Sequence, residues 1–455
     1  MKKCPIFLII FFISLFLWAQ DDPDFFNDDG SFPELIGDEE LQAPAKKKFR
    51  FKNRMLELSV ANINVDISND FIASRDILQN PFYMLRNIKS IKQDPTRIYR
   101  DPAVINIDDF FNGFAFNLRA AIKPLSLNFN WKDNWGLGLD IGHIDAWGNI
   151  TIPDTVLSFK EATNEPFGAG GAVFADVGIP VFFHVNDIKI KLRPAVYVPV
   201  IYARPGMAYS HKNDYQNPET GAEGLYLEVN YDMRIYSLVD MQQDVRQSLA
   251  DEAWNIPRNN LGYDFGLNIE YPWRSWLDIG VDFVNIPVIM AKLNHYTQFN
   301  GSIVIDTSYL DMNGLVNGEI SEHVYFFDYD GQTYGYNADG QKIHRPFTTL
   351  FYANYRPRDS YILSFIPSLG FSINYLYPRI GAVEGGLSAR IDLANTFITT
   401  LGINYNNRTW KNSIDFILNF RAFELDFGLS SQSSDLKKSW QGAGIGVNFG
   451  MKFGW

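Results

Sequence analysis

Residues 443–455, AGIGVNFGMKFGW, decide how this chain is read. Ala443, Ile445, Val447, Phe449, Met451, Phe453 and Trp455 hold alternate positions and are all apolar or aromatic. Gly444, Gly446, Asn448, Gly450, Lys452 and Gly454 fill the positions between them. A repeat of two sends successive side chains to opposite faces of a strand, so one face is apolar and the other small or polar. A terminal strand of this kind, left unpaired, is an aggregation hazard. The segment therefore predicts a strand that closes a sheet.

The same period recurs upstream. Leu125, Leu127, Phe129 and Trp131 alternate with Ser126, Asn128, Asn130 and Lys132, and Asp133-Asn134 makes a polar turn. Trp135, Leu137, Leu139 and Ile141 then alternate with Gly136, Gly138, Asp140 and Gly142. The pattern returns at 114–122 and at 188–200, the latter after an Asn186-Asp187 turn. It returns again in a hairpin over 263–283 and in another over 414–429, where the phase switches at Arg421-Ala422. Residues 55–67 carry two such runs out of phase, which predicts a strand with a bulge. Many of these strands have the length that crosses a membrane at a tilt, about 9–11 residues. Trp131, Trp135, Trp273, Trp276, Tyr375 and Tyr377 sit at strand ends, where an interfacial girdle belongs. Charges on the second face would be buried unpaired in a sealed core but are solvated in a wide lumen. The expected fold is an all-β, transmembrane, antiparallel up-and-down barrel of about 14 strands, with 18 as the upper bound of the count.

The N-terminus fits export. Lys2 and Lys3 precede an apolar run from Pro5 to Trp18, and Ala19-Gln20 leads into Asp21, Asp22 and Asp24. This reads as a signal peptide over 1–20. Cys4 is the only cysteine and precedes the run, so the mature chain carries none. The whole-chain charge is −12, and loss of Lys2 and Lys3 leaves −14, which argues against nucleic acid as a partner. Residues 21–54 read as a flexible leader, acidic and then basic. Residues 55–110 read as a strand followed by a helical segment at 70–98 that could plug the mouth. The barrel is expected over 111–455, with long loops near 205–224, 238–260 and 307–346. An amphipathic helix is expected at 238–254, and hairpin turns at Asp330-Gly331-Gln332 and Asp339-Gly340-Gln341.

No catalytic pattern emerges. The six histidines are scattered, and HExxH, GxSxG and GxxxxGK[ST] are absent. The acidic stretch at 328–339 lacks EF-hand spacing, so no metal and no cofactor is expected. The candidate lumen-lining set is Lys189, Lys191 and Arg193 against Asp264, Glu270, Asp278, Asp282, Glu424 and Asp426. Opposed across a lumen, these groups would create a transverse field and a weak cation preference.

The ending GIGVNFGMKFGW, with Phe449, Met451, Phe453 and Trp455, resembles the C-terminal signal of outer-membrane barrels. That resemblance implies outer-membrane lipid and the barrel assembly machinery as partners, and the bacterial outer membrane as the location. FFNGFAFNLRAAIKPLSLNFNWKDNWGLGLDI and TTLGINYNNRTWKNSIDFILNFRAFELDFGLSSQSSD resemble a barrel family of spirochaetes and Bacteroidetes that has no assigned activity, so fold and location alone are implied. The size and the 70–98 segment are also similar to the FadL-type long-chain fatty-acid transporters, 14-stranded barrels with an N-terminal hatch. Two functions are expected from this. One is a channel or transporter for small solutes or hydrophobic ligands; the other is a surface barrel that binds partners through its loops. A periplasmic β-protein that never inserts is the third reading.

Overall fold

The last strand of the chain lies hydrogen-bonded between the first and the penultimate one, and this seam makes the sheet a barrel. The computed structural model describes residues 54–69, 114–131, 135–152, 166–204, 207–216, 223–242, 258–306, 325–357, 362–373, 381–393, 396–406, 409–420, 422–433, 436–440 and 444–454. The signal and leader segments, the helical reading of 70–98, most of that at 238–254, and Tyr375, Tyr377 and Trp455 lie outside them.

The strands are β1 (Leu56–Asn69), β2 (Phe114–Trp131), β3 (Trp135–Ile152), β4 (Pro166–Gly178), β5 (Val181–Val185), β6 (Ile188–Arg204) and β7 (Met207–Gln216). They continue with β8 (Glu223–Ser237), β9 (Gly262–Arg274), β10 (Leu277–Ile289), β11 (Ala291–Asp306), β12 (Tyr325–Ile343) and β13 (Phe347–Tyr355). The last six are β14 (Leu363–Ile373), β15 (Gly381–Leu393), β16 (Phe397–Asn406), β17 (Thr409–Asn419), β18 (Phe423–Ser433) and β19 (Ile445–Gly454). Every pairing is antiparallel, and β1 bonds both β2 and β19. Five consecutive pairs, β4/β5, β6/β7, β8/β9, β10/β11 and β12/β13, each share neighbours along one line. Each pair is one interrupted stave, so the barrel has 14 staves. No helix among the described residues is long and apolar enough to cross a membrane.

Alternation sets the two faces. In β15, Val383, Leu387 and Ile391 are exposed on the outside, as are Leu125 and Leu127 in β2, Leu137 and Leu139 in β3, and Ile445 and Val447 in β19. Residues between them turn inward. Solvent-exposed leucines and valines in such numbers would be unfavourable in water; facing hydrocarbon, they are what keeps the barrel in a bilayer. Trp131, Trp135 and Trp273 are exposed at the end where the described short turns, the start of β1 and the end of β19 lie.

Local chemistry explains the irregularities. Asn186, with φ 55°, opens the two-residue turn between β5 and β6. Ala61, at φ 55°, is the expected bulge in β1, between the pairs Val60↔Met451 and Ile63↔Phe449. Pro180 has no N–H to give a ladder and separates β4 from β5, while its carbonyl still accepts from Gly138 at 2.6 Å.

Three expectations are corrected. Much of the loop expected at 205–224 is β7, and residues 325–343 of the one expected at 307–346 are β12, which pairs along β11. The two Asp-Gly-Gln sites in β12 are bulges and not hairpin turns: the register slips between Gly331 and Tyr329 and again between Tyr336 and Gln341, where Gly340 has φ 66°. A glycine that accepts positive φ serves a bulge as well as a turn, so composition alone did not separate them.

Candidate functional site

Inside the barrel, the interrupted staves and the regular ones build different surfaces. On the interrupted side an alternating chain of charges runs Lys123, Asp140, Arg193, Asp176, Arg345, Asp264, from β2 through β3, β6 and β4 to the β12–β13 link and β9. Lys123 Nζ donates to Asp140 at 3.2 Å. Arg193 donates from Nε to Asp140 at 2.8 Å and from Nη2 to Asp176 at 2.6 Å. Arg345 bonds Asp176 and grips Asp264 with two parallel bonds of 2.7 and 2.5 Å. His143 Nδ1 lies 2.6 Å from Asp176. Three cations face three anions, so the chain is neutral when His143 is neutral. Its three carboxylates and Arg345 have side chains no more than 3% exposed. Burial on that scale is tolerable only because nearly every charged atom has a partner.

The same level holds an apolar cluster. Phe174 of β4 and Tyr197 of β6 meet edge to face at 6.1 Å between ring centroids, and Leu238, Ala291, Leu293 and Ile343 pack around them. Tyr197 donates its hydroxyl proton to the Ile343 carbonyl at 3.0 Å and lies under the Arg345 guanidinium. Asn285, at φ 56° in a β10 bulge, donates to the Pro346 carbonyl at 3.1 Å. These bonds tie the break between β12 and β13 to β6 and to the β10 bulge, beside the buried Arg345.

On the regular side the described residues leave space inside the wall. A cavity of about 490 Å³ lies against β1, β2, β3 and β15–β19 and reaches Pro346 and Asn285. Asparagine, serine, threonine and acidic side chains line it, and among the described residues Lys411 and Arg119 are its bases. A second cavity of about 500 Å³ opens elsewhere and is almost wholly apolar. Val177, Ile179, Leu192, Val196, Tyr263 and Val288 line it, and it reaches Asp264 at the end of the charge chain.

The residues expected to line the lumen are mostly paired with neighbours. Lys189 bonds Glu270, Asp278 bonds Arg356, and Glu424 bonds Lys452. Arg193 and Asp264 belong to the charge chain. Lys191, Asn268 and Asp282 form one row across β6, β9 and β10. Asp426 faces Gly450 in the β18–β19 ladder. The expected transverse field is therefore corrected: adjacent staves neutralise most of these charges in pairs. Asp140, Asp176, His143 and Arg345 were not anticipated. Of the residues expected to form a C-terminal signal, Phe449 pairs with Ile63 and Phe427, Met451 with Val60 and Leu425, and Phe453 with Leu58 and Phe423.

No protein-family model matches the chain, and no curated protein is similar to it in sequence. Among solved structures, the toluene transporter TbuX of Ralstonia pickettii is similar over 90% of this chain and 91% of its own, at 8% identity and a TM-score of 0.42. A FadL homologue of Pseudomonas aeruginosa is similar over 88% of this chain and 89% of its own, at 11% identity and a TM-score of 0.40. The toluene transporter TodX of Pseudomonas putida covers 88% of each chain at 8% identity, with a TM-score of 0.38. At these scores no ligand, site or mechanism passes to this chain, and its barrel architecture rests on its own ladders.

Proposed function

We propose that this chain is an outer-membrane transport barrel, a channel or transporter for small solutes or hydrophobic ligands. Its destination follows from the signal peptide at 1–20 and the C-terminal strand read by the barrel assembly machinery. The observation that carries the proposal is the contrast between the two faces of one closed wall. The outside is apolar, and the inside holds a cavity of about 490 Å³ lined by polar side chains. A barrel built only as a scaffold needs no such space, and a cavity of this size suits a small ligand. Lys189, Lys191, Arg193, Asp264, Glu270, Asp278, Asp282, Glu424 and Asp426 are proposed as lumen-facing, with their pairing setting the rigidity of the wall more than a field across it.

The hydrophobic branch of the proposal has its own observation. The apolar cleft of about 500 Å³ is walled by residues that are themselves exposed on the outer face, Val177, Val196, Tyr263 and Val288 among them. An apolar molecule dissolved in the membrane meets that cleft without crossing water.

Reconstitution tests the proposal. Purified chain in planar bilayers is expected to conduct, and proteoliposomes are expected to take up a neutral polar solute or an apolar aromatic faster than empty vesicles. A folded, inserted barrel that neither conducts nor speeds either uptake would sink the transport reading.

A further inference from the structure

One face of β19 is nearly bare, and its neighbours reach across it. Gly446 lines the polar cavity, and Gly450 and Gly454 follow it on the same face. At one end of the strand Asp66 of β1 lies over Gly446. Its carboxylate accepts Lys411 Nζ of β17 on both oxygens at 2.8 Å, and Ser430 and Gln432 of β18 at 3.2 and 3.4 Å. From β1 to β17 this bridge crosses β19 and β18 together, three strand spacings or about 14 Å of wall. At the other end Arg54, just before β1, lies over Gly454. Its Nη2 donates to Asn419 Oδ1 at 2.7 Å and to the Phe420 and Phe423 carbonyls at 2.6 and 3.4 Å, and Nη1 lies 3.8 Å from Glu424. Arg54 is buried, and it too joins the start of β1 to the β17–β18 turn.

Room for both bridges comes from missing side chains. A Cβ at Gly446 would collide with Asp66 Oδ1 and Ser430 Oγ, and one at Gly454 with the Arg54 side chain. At Gly450, between the bridges, the nearest atom would lie 3.6 Å away, an ordinary contact. Glycine weakens a strand, so its place here is a close approach and not strand propensity. We infer that Arg54 and the Asp66–Lys411 pair are two straps that fasten β1 to β17 and β18 over the bare face of β19 and lock the last strand into the barrel. The ladders hold β19 by its two edges, and another strand of the same pattern offers the same backbone bonds. The straps differ in kind, because they tie the two neighbours of β19 to each other. The last strand can be exchanged for another only when they part. Each strap uses charge-assisted bonds, roughly twice as strong as neutral ones. They belong to the wall, whatever the lumen carries.

The test is amide hydrogen exchange of the full chain in lipid vesicles, read by mass spectrometry over β1 and β19, with β15 and β16 as reference. Arg54→Met combined with Lys411→Met is expected to speed exchange in β1 and β19 at least tenfold and to leave β15 and β16 within twofold of the parent. The same double variant is expected to take up a labelled synthetic peptide of residues 443–455, which the parent refuses. Where the double variant does not fold, alanine at single glycines carries the test. Gly446→Ala and Gly454→Ala are each expected to speed exchange several-fold at their own end of β19, and Gly450→Ala to leave it within twofold. A rise spread evenly over β1, β19, β15 and β16, a double variant that exchanges like the parent or refuses the peptide, uptake of the peptide by the parent, or one response at all three glycines overturns the inference.

Discussion

The wall from β14 through β19 to β1 and the wall from β4 through β13 obey the same alternation and end as different materials. In the first, the staves run unbroken apart from the bulge in β1, and their inward positions mix glycine, serine and asparagine with charged residues such as Glu384, Lys411 and Asp415. Small inner side chains leave a lumen, and stability comes from ladders and from the apolar outside. In the second, breaks at Pro180, after Ser237, at Met290 and at 344–346 push backbone and side chains inward. That lumen is filled by Phe174, Tyr197 and Leu293 and by the charge chain. A barrel can therefore be hollow on one side and packed like a soluble core on the other, and the difference begins with a few interruptions in period two.

The comparison can be broken at Arg345. Arg345→Met leaves Asp176 and Asp264 buried with fewer partners, and urea unfolding from lipid vesicles is expected to show a loss of about 3–5 kcal/mol. Adding Asp264→Leu to that variant is expected to restore part of the loss, since a buried pair replaced by apolar groups is often neutral. If Arg345→Met unfolds like the parent, the interrupted wall does not depend on its charges. Phe174→Ala probes the apolar half of the same wall, and a core-type loss of about 3 kcal/mol is expected.

The regular wall is tested by swapping faces at adjacent positions of β15. Leu387→Arg puts a charge into hydrocarbon and is expected to cost about 2–4 kcal/mol, whereas Ser388→Arg, turned to the lumen, is expected to cost less than about 1 kcal/mol. Equal costs would mean that the alternation does not separate lipid from water. A smaller effect than that of Leu387→Arg is expected at Gly340, whose φ of 66° strains any residue with a Cβ. Gly340→Ala is expected to cost about 1–2 kcal/mol in the same unfolding assay.

The regular wall was the legible one. Alternation in 414–429 and 443–454 gave β17, β18 and β19 their faces, and the out-of-phase runs at 55–67 gave the bulge in β1. The hairpin at Asn186-Asp187 was equally plain, because a two-residue polar turn between apolar runs admits few alternatives. The charge chain was not legible. Arg345 bonds Asp264 and Asp176, which are 81 and 169 positions away, and no local period records such a meeting. His344-Arg345-Pro346 read as the end of a loop because the preceding β12, rich in Asp, Gly and Asn, lacks an apolar rhythm. Lys189 and Glu270 were each seen, but not as partners, since their meeting depends on how β6 registers against β9.

The seam has a kinetic consequence. Glu57↔Gly454 through Ile67↔Ile445 joins segments nearly a whole chain apart, so closing it carries the largest loop entropy of any ladder in the molecule. Contacts of such sequence separation form late, and until they do both β1 and β19 present open edges. A chain cut short before β19 cannot silence either edge. The order of events in assembly is thereby written into the topology: the final ten residues of sheet decide when the molecule stops being a template for other chains and becomes a closed object.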